Sequence, residues 1–328
     1  MANAVVPEET YLALDIGGTK VNSGFVTLSE EGYTVTGQER IPTMAQRGGQ
    51  DVLLRIVHLV ERQVAQAKTQ GIELKGIGIG SAGVVDSEHG LIATATDTMP
   101  GWAGARVAEA IHLGRGLADI PLYMVGDVGA HGLGEALRGA GVGYDSVLSI
   151  GVGTGIGGAY IQHGKLLTGE HGVAGHAGHI PHGLGKGVLC SCGTTAGHIE
   201  PVASGTGLAT LYNLRKEQAG QDSFVENGAE VVARMNEGEE FARMIVTTSA
   251  TALGECIAGM GNLFDPSVII ISGSVVKAGP QWWDALRAGF LSSALPLVQK
   301  TQLVQGELGD DAPLVGAASA IQRHLREA

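Results

Sequence analysis

Two segments of the chain carry one pattern: an apolar run, a glycine turn containing Gly-Thr, and a second apolar run. They are LALDIGGTKVNSGFV at 12–26 and LSIGVGTGIGGAYI at 148–161. An apolar run closed by glycines reads as a buried strand, and two such runs about a short turn read as a hairpin. One copy constrains little, because D-x-G-G turns also close ordinary hairpins. A second copy in the other half of the chain requires a fold built from two related α/β halves.

The segments around the two copies agree. Tyr11–Gly17, Val21–Leu28, Tyr33–Arg40, Lys75–Gly80, Leu122–Val125, Ser146–Ile150 and Val268–Ser272 read as strands. Between Asp51 and Lys68 the residues Val52, Ile56, Val60, Val64 and Ala67 recur at helical spacing, and Gly71 supplies the stop. Val107–Ile111, Val128–Gly139 and Leu314–Glu327 read as helices. The region 206–261 is mostly helical, with a break at Asn227-Gly228. A smaller N-terminal domain is expected over 1–125, completed by a C-terminal helix at about 312–328, and a larger one over 126–311. The hinge falls near 118–130.

Composition narrows the function. Glycine supplies 53 of 328 residues, more than double the usual ~7%. These glycines cluster at the ends of apolar runs, where a backbone turns sharply or meets a ligand, and they suggest a nucleotide or phosphate binder. A formal charge of −12 argues against nucleic acid and anionic membranes as partners. No apolar run has the length of a membrane span, and the first ten residues lack the pattern of a signal peptide. Three cysteines argue against a disulfide framework and for the cytoplasm.

Two places hold candidate chemistry. In the first turn Asp15 precedes Gly17, Gly18, Thr19 and Lys20. A carboxylate there can hold hydrated Mg²⁺, and turn N–H groups can cradle phosphate oxygens. Gly153, Thr154 and Gly155 form the corresponding turn of the second copy, so that two turns from two domains can clamp a triphosphate. The second place is the stretch 171–200, where Cys190 and Cys192 are flanked by His179 and His198. Two thiols and two imidazoles can supply a tetrahedral zinc site. The plain alternative is a glycine-rich loop with incidental histidines.

LALDIGGTKV, GIGIGSAGVVD, GDVGAHGLGE, SIGVGTGIGGA, AGHAGHIP, CSCG…GHIE, ASGTGL and IIISGSV occur in that order across nearly the whole chain. In this the chain resembles the ROK family (repressors, open reading frames and sugar kinases). The resemblance implies an actin-like, ribonuclease-H-like ATPase fold with two domains around a central cleft, and ATP- and Mg²⁺-dependent phosphorylation of a hexose. It implies that Asp127 is the base that takes the proton from the attacking sugar hydroxyl. The other role open to Asp127 is capping the helix that follows, and a helix N-terminus also favours a negative charge. Gly273 matches the glycine beside adenosine. Gly83, Thr98, Gly126, Asp127, His176, His179 and Glu200 fall at positions expected to meet the sugar. His179 also matches a zinc ligand.

The chain departs from the family at several of these positions. The family's CxCGxxGC pattern is here one residue longer, with His198 where a third cysteine is expected; a histidine can replace a thiolate at structural zinc. His182 is the other histidine in reach. Glucokinases of the family carry Glu in an ExGH motif, whereas this chain has His176-Ala177-Gly178-His179. A carboxylate only accepts hydrogen bonds, while a neutral imidazole offers one donor and one acceptor, which suits a C2 acetamido group. HxGH and the preceding LLTGEHGVAGH are similar to N-acetylmannosamine kinases of the family. The expected reaction is therefore phosphorylation of N-acetylmannosamine at the 6-hydroxyl. Gly126 and Thr98 stand where the family carries Asn, and this weighs toward an unusual sugar or poor activity. A glucokinase or other hexokinase and a non-catalytic sugar sensor are the alternatives. Homodimers or homotetramers are usual in the family. About ten residues precede the first glycine-turn strand, too few for the DNA-binding domain of a repressor.

Overall fold

The computed structural model of the chain describes residues 8–327. Residues 1–7, part of the segment expected to lack a signal peptide, and residue 328, the end of the expected terminal helix, lie outside the described residues. In chain order the first part comprises β1 (Glu9–Ile16), β2 (Lys20–Leu28), β3 (Tyr33–Pro42), α1 (Gly49–Gln70), β4 (Leu74–Ser81), β5 (Val84–Asp86), β6 (Leu91–Thr94), α2 (Val107–His112), β7 (Leu122–Gly126) and α3 (Asp127–Arg138). There follow β8 (Ser146–Val152), β9 (Ile156–Gln162), β10 (Lys165–Leu166), α4 (Glu200–Ala203), α5 (Gly205–Gln218), α6 (Gly228–Asn236), α7 (Glu240–Phe264), β11 (Val268–Ser272), α8 (Pro280–Ser293), β12 (Gln302–Gln305) and α9 (Ala312–Glu327). Among the described residues no helix is long and apolar enough to cross a membrane.

The two glycine-turn copies nucleate two sheets of the same design. One has the order β3–β2–β1–β4–β7, with β1 antiparallel to β2 and parallel to β4. The other has the order β10–β9–β8–β11–β12, with β8 antiparallel to β9 and parallel to β11. The chain forms two compact units: 1–142, 166–174 and 307–328 in the first, 143–165 and 175–306 in the second. The sequence placed the division at 125–126, one helix earlier. The structure puts it after α3, because α3 packs its length against α9 within the first unit.

That packing needs glycine inside helices. A Cβ added to Gly134 of α3 would lie 2.2 Å from the carbonyl oxygen of Ala312, and one on Gly316 of α9 would lie 1.6 Å from that of Ala130. The second unit repeats the device, where Gly254 of α7 and Gly289 of α8 would each place a Cβ within 2.1 Å of the other helix's carbonyl oxygens, at Leu286 and Thr251. A part of the glycine excess therefore serves helix-on-helix contact, which run ends alone do not disclose. Helix α8, strand β12 and the small β5–β6 hairpin were not foreseen; β12 is only four half-exposed residues and β5 only three, too short for a periodicity.

One buried carboxylate fastens the returning chain. Glu135 of α3 is fully buried and accepts from the backbone N–H groups of Ala140 (3.2 Å), Glu307 (3.0 Å) and Leu308 (2.9 Å). Charge-assisted bonds of this kind compensate the cost of burying the group. Glu135→Ala would strand three amide donors at roughly 1–3 kcal/mol each. It should lower the thermal midpoint of the first unit by on the order of 5–10 °C; a midpoint within about 2 °C of the parent, read by calorimetry, would contradict this account.

Candidate functional site

In the first unit the parallel register brings the candidate residues to one sheet end. Asp15 pairs across from Asn22 on β2 and Gly80 on β4, and Ser81 pairs with Gly126 at the end of β7. The turn after Asp15 is tied by Gly17 N–H to Lys20 O at 3.0 Å and by Thr43 Oγ1 to Gly17 O at 2.6 Å. Gly18, Thr19 and Lys20 line the remainder of that turn, with Thr19 and Lys20 exposed. Asn22 Nδ2 donates to Asp15 Oδ2 at 2.9 Å, and Arg40 Nε holds the Asn22 oxygen at 2.8 Å. Burial pushes the Asp15 carboxyl above its ordinary value, against the pull of Asn22, Lys20, His131 and Arg40. A cation bound there would work in the opposite direction.

Asp127 is the first residue of α3, and its Oδ1 accepts from Val128 N–H at 2.8 Å. The helix starts one residue earlier than expected: Gly126 is its N-cap and makes no side-chain cap bond, so Asp127 lies in the first turn and its carboxylate is held by the next amide, not by a cap. Gly126 before it is extended, with φ −61° and ψ 149°. The Thr98 loop and the Gly83 turn are joined through Trp102, fully buried, whose indole N–H donates to Ala82 O at 3.2 Å. Thr98 is exposed and its hydroxyl shares a 2.7 Å bond with that of Thr96. Gly83 has φ +96°. His131, one turn beyond Asp127, escaped the sequence reading; its Nε2 is buried without a hydrogen-bond partner among the described residues, and burial holds the ring below its ordinary pKa against Glu135 and Asp15. Its only sequence signal is the helical i, i+4 spacing from Asp127.

The second unit assembles its own turn. Gly153, Thr154 and Gly155 follow β8, and the N-terminus of α5 docks on them through Gly205 N–H to Gly153 O (2.7 Å) and Thr206 Oγ1 to Thr154 O (2.7 Å). Ser204 caps that helix, its hydroxyl oxygen accepting from Gly207 N–H at 2.9 Å. Backbone N–H groups of a glycine turn beside a helix N-terminus suit anionic oxygens. Gly273 ends the neighbouring β11 with φ +99°, and a Cβ there would lie 2.4 Å from Val152 O. Gly205 and Thr206 were not singled out as site residues; the Ser-Gly-Thr-Gly cap was the available signal.

The stretch 171–200 folds around four donors. His179, Cys190, Cys192 and His198 place their ligand atoms within 4.8 Å of one another. His179 Nδ1 lies 3.2 Å from His198 Nδ1 and 3.5 Å from Cys190 Sγ; His198 Nδ1 lies 3.4 Å from Cys192 Sγ. Tetrahedral zinc with bonds of about 2.05 Å to nitrogen and 2.3 Å to sulfur requires N···N near 3.3 Å and N···S near 3.6 Å. The three edges named match these values and the remaining ones lie within 4.8 Å, so the side chains suit that ion. The extra residue before His198 is absorbed by a short antiparallel bridge: Pro181 pairs with His198, Ile199 N–H donates to Ile180 O, and His182 N–H donates to Gly197 O. His182 itself turns away, with Nε2 2.7 Å from Glu255. Burial pulls His179 below its ordinary pKa, opposed by Glu200 and assisted by His198 and His176, and this favours the neutral ring a metal needs. Burial pushes the Cys190 thiol up, a cost that a bound cation would reverse.

Glu200, first residue of α4, accepts from Ile156 N–H at 3.0 Å through Oε2 and from the Ser191 hydroxyl through Oε1. His176 is exposed, its ring stacked on His179 at 5.9 Å between centroids. Metal donors, Glu200 and His176 therefore lie side by side within the second unit.

A family model described as the ROK family matches residues 11–324. Glucokinase of Thermotoga maritima is 30% identical over 333 residues, spanning 98% of this chain and 99% of the relative. N-acetylmannosamine kinase of Yersinia pseudotuberculosis is 30% identical over 316 residues, spanning 94% and 96%. The structure of a ROK family glucokinase from Streptomyces griseus, in complex with glucose and AMPPNP, aligns with a TM-score of 0.75 at 28% identity over 96% of this chain and 99% of that one. The chain belongs to the ROK family, and the expected class stands: an ATP-dependent sugar kinase with the actin-like fold.

Protein purified without chelator should carry one zinc per chain by elemental analysis, and His198→Ala should fall well below that. Affinity should weaken as pH falls, because imidazole and thiolate must shed protons to ligate. A metal-free parent protein would refute the site.

Proposed function

We propose that the chain transfers the terminal phosphoryl group of ATP to the 6-hydroxyl of N-acetylmannosamine. The observation that carries the choice of sugar is His176, which stands where glucokinases of the family carry a carboxylate and lies beside His179. An imidazole can donate to an acetamido carbonyl, which a carboxylate cannot do. Thr98, whose hydroxyl shares a bond with that of Thr96, and Gly126, which has no side chain, stand where the family carries Asn, so the two side-chain amides expected to meet a plain hexose are absent.

On this reading each candidate residue has a defined role. Asp127, oriented by Val128 N–H, takes the proton from the sugar hydroxyl as that oxygen bonds to the γ-phosphorus. The bond from phosphorus to the β–γ bridging oxygen breaks, and ADP leaves with its electron pair. His176, His179 and Glu200 hold the sugar. The turns at Gly17–Lys20 and Gly153–Gly155 offer N–H groups to the phosphates, with Gly273 beside the adenosine. Asp15 would hold Mg²⁺, whose role is to neutralise phosphate charge; positioning and charge stabilisation supply most of the catalysis in such transfers. His179, Cys190, Cys192 and His198 would hold zinc, which would serve as a structural brace.

A coupled ADP-release assay with MgATP should give the highest kcat/KM on N-acetylmannosamine when compared with N-acetylglucosamine, glucose, mannose and fructose. Turnover of glucose far above the acetamido sugars would overturn the reading of His176, and no turnover on any sugar would favour a sensor. His176→Glu should move the preference toward glucose by roughly tenfold. Asp127→Asn should abolish turnover with the circular dichroism spectrum unchanged; appreciable residual kcat would count against its role as base.

A further inference from the structure

Glu200 is held by two hydrogen bonds, and the donors of both lie outside the expected site. Its Oε2 takes the Ile156 N–H at 3.0 Å, which ties it to the second glycine turn. Its Oε1 takes the hydroxyl of Ser191, the residue between the two candidate zinc-binding cysteines. Cys190 Sγ is 3.9 Å from the same oxygen, too far for a strong bond, so Ser191 is its effective side-chain donor. Glycines wall the carboxylate in. A Cβ on Gly155 would come within 2.7 Å of Oε2 and one on Gly178, next to His179, within 3.1 Å. Three segments therefore converge on one carboxylate: the glycine turn, the His179 segment and the Cys190–Cys192 segment, all within the second unit.

We infer that Ser191 is a positioning residue for sugar recognition, which fixes the Glu200 carboxylate in one orientation and so makes acceptor-sugar affinity depend on the metal-holding segment. The inference rests on the reading of Glu200 as a sugar ligand. Each carboxylate oxygen accepts more than one hydrogen bond. The Ser191 and Ile156 donors therefore set the plane of the group while leaving capacity for sugar hydroxyls. Without the Ser191 hydroxyl the carboxylate can rotate about its last side-chain bonds, and a bond to the sugar then costs the order that Ser191 had supplied in advance. Ser191 is exposed, so its replacement leaves the core untouched.

The test compares Ser191→Ala, Ser191→Thr and Glu200→Gln by calorimetric titration of N-acetylmannosamine, or of the best acceptor in the panel, together with initial rates and zinc content. Ser191→Ala should raise sugar Kd and KM about tenfold, the loss expected for one hydrogen bond to a charged group. The KM for ATP and the zinc content should stay at the parent values, and Ser191→Thr should restore sugar Kd to within about twofold, since it returns the hydroxyl. Parent-like sugar Kd in Ser191→Ala, with Glu200→Gln weakened, would overturn the inference alone. Loss of zinc in Ser191→Ala would also overturn it, because the serine would then be serving the metal loop. Parent-like sugar Kd in Glu200→Gln would overturn the underlying reading of Glu200.

Discussion

The crossing of α3 and α9 is the contact on which the first unit depends. The chain leaves that unit after α3, re-enters it at 166–174 and completes it from Glu307 onward, so α9 must find its place across a long separation in sequence. Small residues let the backbones meet, with Gly134 against Ala312 and Gly316 against Ala130. Glu135 then bonds the first two amides of the returning segment. The same helix carries Asp127 at its start, and the crossing that closes the unit thereby also fixes the direction of the candidate base. Stability and the orientation of the candidate base share one element here, and the shared part is backbone geometry.

In the second unit a comparable role falls to Glu200. It joins the glycine turn after β8 to the loop that holds four metal donors, and it does so through a backbone amide and a serine hydroxyl. The metal site is not an appendage on this view. The bridge between Pro181 and His198 brings the last donor opposite the first, and the edges among the donors already suit a tetrahedral ion before any ion is placed. A loop this rich in glycine would otherwise lose much conformational entropy on ordering. A metal at the four donors, together with Glu200, would offset that loss where the proposed sugar ligands must be held to a fraction of an ångström.

Much was legible from residues alone, for reasons of local physics. β11 occupies the span expected for it, Val268–Ser272, because an apolar run closed by glycine has few other conformations to adopt. Helix α1 ends at Gly71, with φ +71°, because left-handed backbone at a helix end selects glycine. The clustering of His179, Cys190, Cys192 and His198 was visible because Cys-x-Cys with flanking histidines is rare in a loop. What escaped has an equally physical cause. Gly134, Gly254, Gly289 and Gly316 look like helix-weakening residues until the partner helix is in view. Ser191 is one serine among many until its hydroxyl meets a carboxylate nine residues away, and His131 is one histidine until its buried nitrogen is seen without a partner.

By itself the sequence determined the two-fold strand–turn–strand plan, the strands, most helices, and the family, and it named the candidate residues for phosphate, metal and proton chemistry. These are properties of nearest neighbours and short periods, which the order of side chains encodes directly. The tertiary structure alone decided that α3 belongs with α9, that His198 rather than His182 completes the donor set, and that Ser191 faces Glu200. Each of those depends on contacts between residues far apart in the chain or across a turn of irregular backbone. Their energies come from close approach and hydrogen-bond direction, neither of which a linear pattern specifies.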